Sequence, residues 1–313
     1  MQLLYALAKL RTPFLDTVLG ALTNCGGEIV FMAVAIIVFW CVSKSCGYYM
    51  LTVGFVGTIV NQFLKLVFRI PRPWVKDPDF QIVESARAEA TGYSFPSGHT
   101  QNVFASFGCL GRWTRQTWLR VVCALLIVVT AFSRMYLGVH TPLDVGVSFG
   151  IGLVLVFALY PLFRDIDSHP NRLYWLFGAM AALGLAYLFF AELWPFPADV
   201  DAANLASGRK NAYTLLGAVL GMTFAYWLDR RYVHFDVRAV WWAQVLKAVL
   251  GLAITIGLRA ALKAPLLALC GGHNVANLIR YALMVIFAAG IWPMTFGWFG
   301  RLGQKKPASG ASD

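Results

Sequence analysis

The sequence predicts an all-α, polytopic transmembrane helix bundle. Hydrophobic residues make up 59% of the 313 positions, charged residues make up 13%, and the mean hydropathy is +0.64. Average soluble domains carry about 25% charged residues, so this composition excludes an ordinary soluble protein. Several apolar stretches have roughly the 20 residues that a spanning helix needs, and short basic breaks separate them.

The first 24 residues lack the long apolar core and small-residue cleavage site of a removable signal peptide, and they predict an amphipathic surface helix. Spanning helices are expected after it near residues 27–43, 48–68, 99–111, 120–139, 143–163, 172–193, 211–229, 240–262 and 275–299.

The basic residues between these spans predict the orientation of the bundle. They fall at one end, which the positive-inside rule makes cytoplasmic. They are Lys44, Arg112, Arg115, Arg120, Arg164, Arg172, Arg230, Arg231, Arg238, Arg301, Lys305 and Lys306. Because the net charge of +11 is dispersed in this way, it indicates membrane topology and not a nucleic-acid partner. The opposite end should hold the loops at 70–98, 140–143, 194–210 and 263–274.

Three groups of unusual residues fall at that opposite end. The first contains Lys65 and Arg72, which are seven residues apart and on one helix would lie two turns apart on one face. Both side chains could contact one anion from successive turns of the helix. The alternative is that they are basic anchors at the membrane edge.

The second group begins a helix. Ser97 is an expected N-cap, Gly98 lets a ligand approach the backbone, and His99 follows. The exposed amides at such a helix start can bind an anion. A simple cap with an interfacial histidine is the alternative.

The third group begins another helix, with Thr141 as N-cap and Pro142 at the first helical position. His140 then lies just outside the helix and Asp144 in its first turn, so that the carboxylate can orient the imidazole. A plain first-turn charge is the alternative for Asp144. Arg134 precedes this group, and a cluster of Lys65, Arg72 and Arg134 requires an anion, for which phosphate is the natural choice.

These motifs resemble the three signatures of the type 2 phosphatidic acid phosphatase (PAP2) family. They are Lys65 with Arg72-Pro73, Pro96-Ser97-Gly98-His99, and Ser133-Arg134 with His140 and Asp144. The resemblance implies a compact six-helix bundle, related to vanadium haloperoxidases, as the phosphatase core over residues 1–165. Residues 166–313 are expected to add about three transmembrane helices of unknown role, outside the resemblance.

The resemblance also implies roles for these residues. His140 would attack phosphorus, and Asp144 would orient His140. His99 would protonate the leaving oxygen. Phosphate oxygens would be held by Lys65, Arg72, Ser97, the Gly98 amide and Arg134. No metal or other cofactor is expected, because three cations beside the histidines would repel a second positive centre.

The expected partners are membrane lipids and a lipid phosphate substrate, in a multi-pass protein of the cell membrane whose site faces the outer side. Undecaprenyl diphosphate, phosphatidylglycerol phosphate and phosphatidic acid would each fit, and a soluble sugar phosphate stays possible. An inactive lipid-binding or transport protein and a vanadate-dependent haloperoxidase are the alternatives. The sequence carries no indication of the oligomeric state. The charged loop at 74–94 is either a lid or an ordinary solvated loop.

Overall fold

A computed structural model describes residues 1–302 as helices joined by turns. The predicted basic positions Lys305 and Lys306 lie outside this range. The α-helices are α1 (Gln2–Ala8), α2 (Pro13–Thr23), α3 (Glu28–Cys41), α4 (Lys44–Phe68), α5 (Pro73–Lys76), α6 (Gly98–Val103), α7 (Cys109–Trp113), α8 (Thr117–Tyr136), α9 (Pro142–Arg164), α10 (Asn171–Leu193), α11 (Ala202–Leu228), α12 (Trp241–Ala261), α13 (Lys263–Leu269), α14 (Val275–Ile286) and α15 (Phe296–Arg301).

Six of these helical segments are long and apolar enough to cross a membrane. They are Lys44–Lys76, Thr117–Tyr136, Pro142–Arg164, Asn171–Leu193, Trp241–Leu269 and Val275–Arg301. A seventh candidate is the pair Pro13–Gly26 and Glu28–Cys41, which bends by 50° at its break. The prediction of an all-α, multi-pass membrane protein is therefore confirmed.

The N-terminal segment differs from the expected single surface helix. It forms two helices, because the chain leaves α1 at Lys9 and restarts where Thr12 caps α2 with its side chain. Arg11, between them, donates a 3.1 Å hydrogen bond to the carbonyl of Tyr136, which fixes this segment against the end of α8.

Two of the predicted spans belong neither to the six apolar helices nor to the bent pair. The one expected at 99–111 is interrupted by a π-helical turn over Phe104–Gly108, between α6 and α7. The other, expected at 211–229, is α11, which begins at Ala202, inside the loop that was expected at 194–210. Arg209 and Lys210 therefore belong to a helix and not to a loop, and Arg209 Nε lies 3.3 Å from a carboxylate oxygen of Glu192 on α10.

The helices after α9 cover one side of the preceding bundle. Trp40 on α3 donates a 2.7 Å hydrogen bond to the carbonyl of Ala288, and Lys44 pairs with Asp229 at 2.8 Å. Within this second half, α11 and α14 approach closely at Gly217 and Gly221, where a Cβ atom would meet backbone atoms of α14 at 2.2 Å and 2.6 Å. Small residues at four-residue spacing permit such contact between membrane helices.

The Lys44–Asp229 pair also shows that two of the basic turns share one end of the bundle. α4 starts there and α11 finishes there, so the end of α4 and the start of α11 lie at the other end. The predicted site residues lie at that other end, with the starts of α6 and α9 and the end of α8.

Candidate active site

Lys65 and Arg72 are both buried, but they do not lie on one helix, so the two-turn spacing that a shared helix would give them does not arise. α4 ends at Phe68, and Arg69 takes a left-handed conformation with φ 50°, which turns the chain out of the helix. Arg72 becomes the residue before α5. Both cations nevertheless line one cavity.

Arg72 is held by three carbonyl groups around its guanidinium. Nε donates to Gly92 at 3.0 Å, Nη2 to Thr91 at 2.7 Å, and Nη1 to Val139 at 2.9 Å. Lys65 donates to the carbonyl of Tyr93 in the same segment. The cations therefore fix the loop at 91–93 over the site, and this loop is a packed part of the site wall.

The start of α6 has the predicted cap, since Ser97 Oγ accepts from the amide of Thr100 at 3.4 Å. That hydroxyl also accepts from Thr100 Oγ1 at 3.0 Å, is fully buried, and is not on the cavity wall. Gly98 does line the cavity, and a Cβ there would meet nothing within 4 Å. The structure thus brings the Gly98 backbone and not the Ser97 hydroxyl to the cavity.

His140 is placed by the turn after α8. Gly138 adopts φ 82°, which favours glycine, and the amide of His140 donates to the carbonyl of Arg134 at 3.2 Å. The Nε2 atom of His140 accepts a 2.8 Å hydrogen bond from Arg72 Nη1, so the ring proton lies on Nδ1. The Nε2 lone pair, which a nucleophile needs, therefore points to the cation cluster.

Asp144 lies on the other side of the His140 ring. Thr141 and Asp144 form the predicted start of α9, a reciprocal cap in which Asp144 Oδ2 accepts from the Thr141 amide at 2.7 Å. The same Oδ2 lies 3.5 Å from His140 Nδ1. A carboxylate in this position fixes the tautomer and can stabilise a positive charge on the ring.

Burial and the guanidinium groups of Arg72 and Arg134 hold the pKa of His140 well below its ordinary value. The imidazole is therefore neutral near pH 7, which is the form that can attack an electrophile.

Arg134 is almost completely buried and has capacity to bind further acceptors. Its Nη1 donates to Thr23 Oγ1 at 2.9 Å, while Nε and Nη2 make no hydrogen bond to any residue that the structure describes. Buried donors of this kind are costly unless a ligand completes them. Since Arg134 lines the same cavity as Lys65 and Arg72, an anion with several oxygens would satisfy it.

His99 has a partner that sequence reasoning did not assign to the site. Its Nε2 lies 3.0 Å from a carboxylate oxygen of Glu89. Glu89 belongs to the loop that was predicted to be a lid or a solvated segment. Its charge was the one feature of the sequence that could have pointed to a place in the site. Burial and the nearby guanidinium of Arg134 lower the pKa of His99 to about 3, so the ring is neutral while the cavity holds only protein cations. The Glu89 carboxylate opposes that shift and gives a proton on the ring a partner.

The site residues surround a cavity of about 660 Å³ at this end of the bundle. Helices of the second half also contribute to its wall, through Asn211 and Thr214 on α11 and Arg259 on α12. Among residues 1–302, no group of three or more His, Cys, Asp or Glu side chains is arranged to hold a metal ion. The lining residues with predicted roles are Lys65, Arg72, Gly98, His99, Arg134 and His140.

Two family models match the chain. The PAP2 superfamily model matches residues 44–167, and the model of the PAP2 superfamily phosphatase transmembrane extension matches residues 213–305. The chain belongs to the PAP2 superfamily. The expectation that everything after residue 165 lies outside the family is therefore wrong, because most of the second half matches a PAP2 extension.

Curated relatives of this PAP2 chain include proteins named as lipid phosphatases. The undecaprenyl-diphosphatase BcrC of Bacillus subtilis is 34% identical over 36% of this chain and 55% of its own length. The probable sphingosine-1-phosphate phosphatase of Dictyostelium discoideum is 27% identical over 71% of this chain and 56% of its own.

A third relative, the phosphatidylglycerophosphatase B of B. subtilis, is 25% identical over 53% of this chain and 82% of its own length. The chain thus spans just over half the length of the first two relatives. No solved structure matches the chain.

Proposed function

We propose that this protein is a membrane phosphatase that hydrolyses a lipid phosphate or lipid diphosphate through a phosphohistidine on His140, without a metal ion. The observation that carries the proposal is the convergence of Lys65, Arg72 and Arg134 on the cavity that His99 and His140 line. Arg259 is a fourth cation on the described wall, against the carboxylates of Glu28 and Glu89 and of Asp144 behind His140, so the positive charge is in excess and suits a phosphate group.

The first step starts when phosphate enters. Its anionic oxygens are better acceptors for Arg72 than a neutral imidazole, so the hydrogen bond from Arg72 to His140 Nε2 is exchanged and the lone pair is released. Nε2 forms a bond to phosphorus while the bond from phosphorus to the leaving oxygen breaks. The bound phosphate neutralises the cations that lower the pKa of His99, so that the ring takes up a proton beside Glu89 and gives it to that oxygen.

The second step returns the site to its starting state. Water attacks the phosphorus of the phosphohistidine, His99 takes one proton from the water, and the bond from phosphorus to Nε2 breaks. Asp144 stabilises the charged His140 ring between the two steps, and the cations hold the equatorial oxygens throughout.

The lipid nature of the substrate is supported by the membrane helices and by the relatives. Their names refer to undecaprenyl diphosphate, sphingosine-1-phosphate and phosphatidylglycerophosphate, all of which join phosphate to a long apolar chain. We propose that residues 1–165 carry the catalytic residues and that the later helices support this core.

We further propose that the protein lies in the cell membrane with its site facing the outer side. The turns rich in arginine lie at the opposite end from the site, which supports this orientation by the positive-inside rule. In intact cells, a membrane-impermeant maleimide should label Gln81→Cys in the site loop and spare Arg231→Cys, with the unmodified protein as background. The reverse pattern would contradict the orientation.

The catalytic proposal is tested with detergent-purified protein in the presence of a chelator. Phosphate release is measured from undecaprenyl diphosphate, phosphatidylglycerol phosphate, phosphatidic acid and a soluble sugar phosphate. Turnover of at least one lipid should persist in the chelator and disappear in His140→Ala. His169→Ala, a change in the turn before α10, is the matched control and should retain activity. A fully active His140→Ala protein would remove the mechanism.

A further inference from the structure

A second cavity adjoins the active site. It is a cleft of about 220 Å³ between α3, α4, α11, α12 and α14. Among the described residues that line it, Glu28 and Arg259 are the charged ones, and both also line the active-site cavity. Away from that junction the walls are almost entirely apolar, with side chains such as Ile36, Leu252 and Met284.

The two cavities adjoin and share part of their lining. Met32, Phe55, Leu215 and Arg259 line both of them. A molecule with a charged end and an apolar chain could therefore place its charge among Lys65 and Arg134 and its chain in the cleft.

The cleft also reaches the surface of the bundle that faces lipid. Ile256 on its α12 side is 65% exposed, and Ile29 on its α3 side is 75% exposed. These exposed apolar side chains suit the entry of an apolar chain from the bilayer. The remainder of a long chain can stay in the bilayer.

We infer that this cleft binds the hydrocarbon chain of the substrate whose phosphate is cleaved, so that the C-terminal helices form the chain-binding site. The inference rests on the proposed function. A chain that moves from bilayer to cleft gains little hydrophobic free energy, because both surroundings are apolar. The cleft therefore acts mainly by positioning the phosphate for attack by His140.

The test compares substrates that share a headgroup and differ in chain length. One pair is dioleoyl and dibutyryl phosphatidic acid, and the other is farnesyl and isopentenyl diphosphate. Ala33→Phe and Ile256→Trp each place a large ring in the cleft, and neither position lines the active-site cavity. We expect each variant to lower kcat/KM about 10-fold or more for the long-chain member, and less than about 2-fold for the short-chain member.

Retained activity on the short-chain member shows that the variant is folded. Ala253→Phe is the matched control, because this exposed alanine of α12 lines neither cavity. It should leave kcat/KM unchanged for both the long-chain and the short-chain substrate. Equal effects on long and short chains in both cleft variants, or no effect in either, would overturn the inference and leave the proposed function standing. If the unmodified protein hydrolysed no phosphate at all, the proposed function would fail first and the inference with it.

Discussion

Ser94 Oγ lies 2.5 Å from Oδ2 of Asp144, the same carboxylate oxygen that faces Nδ1 of His140. The serine and the Thr141 amide together hold this oxygen in place, and both donate to the carboxylate. Hydrogen bonds to a charged group stabilise it more than neutral ones do. Ser94 is thus a positioning residue that acts on His140 through Asp144.

Replacing Asp144 by Asn should reduce kcat by about 10³- to 10⁴-fold, because the amide can leave the His140 ring in the wrong tautomer. Ser94→Ala should reduce kcat by about 10-fold or more, since it removes one hydrogen bond to the charged carboxylate. Both effects should appear in kcat with little change in KM, and steady-state kinetics on one lipid substrate measures them.

Ser106→Ala is the control for Ser94→Ala. Ser106 is equally buried, but its hydroxyl donates to the carbonyl of Asn102 within its own helix. If Ser106→Ala lost as much activity as Ser94→Ala, the loss would reflect general destabilisation and not the orientation of Asp144.

Glu89→Gln should slow the hydrolysis of substrates with poor leaving groups more than of those with good ones. The carboxylate supports the protonated form of His99, and general acid catalysis contributes about 10²- to 10⁴-fold where the leaving oxygen needs a proton. A nitrophenyl phosphate leaves without that help, so its kcat should change little. Glu84→Gln, in the same loop and paired with Arg87, should have no such selectivity. An equal loss on both kinds of substrate would contradict the role assigned to Glu89.

Arg134→Lys should weaken the binding of phosphate-like anions although the charge is kept. The planar guanidinium offers donors to two acceptors at once, whereas lysine carries a point charge. In Arg134 the donors without a partner among the described residues are Nε and Nη2. Inhibition by orthovanadate should require about 10-fold or more higher concentration, in line with the loss of a charged hydrogen bond. Arg120→Lys at the opposite end is the control. Unchanged inhibition in Arg134→Lys would show that Arg134 does not contact the anion.

Gly217→Ala should destabilise the protein by about 1–3 kcal/mol, because the new Cβ would meet the carbonyl oxygen of Leu278 at 2.2 Å and force α11 from α14. Gly257→Ala, where no atom lies within 4 Å, should be neutral or stabilise the helix by up to about 1 kcal/mol. Thermal unfolding in detergent compares the two. Equal melting temperatures would contradict the close packing of α11 on α14.

The sequence predicted much of the local geometry of the candidate site because its signals are local. The caps by Ser97 and Thr141, and the placement of His140 and Asp144 around the start of α9, depend on residues within four positions of one another. The all-α architecture follows from composition and the length of apolar stretches, which the membrane requires whatever the tertiary contacts.

The remaining features depend on contacts that no local pattern encodes. Ser94 reaches Asp144 across 50 residues and Thr23 reaches Arg134 across 111, so neither partner could be assigned from its neighbours in the chain. The span predicted at 48–68 ends at Phe68, as α4 does, but the left-handed turn at Arg69 was not predicted, because the chain lacks the glycine that usually marks such a position. The Ser97 hydroxyl, expected at the phosphate, accepts hydrogen bonds from the amide and the hydroxyl of Thr100 and does not line the cavity, so its contact with phosphate stays a prediction.

The contacts of α3 and α4 with the second half of the chain have a consequence for biosynthesis. Trp40 and Lys44 leave the ribosome early, but their partners Ala288 and Asp229 are synthesised 248 and 185 residues later. Until those residues have been synthesised, the indole N–H and the ammonium group cannot form these two contacts. The first helices can enter the membrane during translation, but the mature bundle closes only after the last helices have been inserted. A chain that ended before these helices would leave both polar groups without these partners.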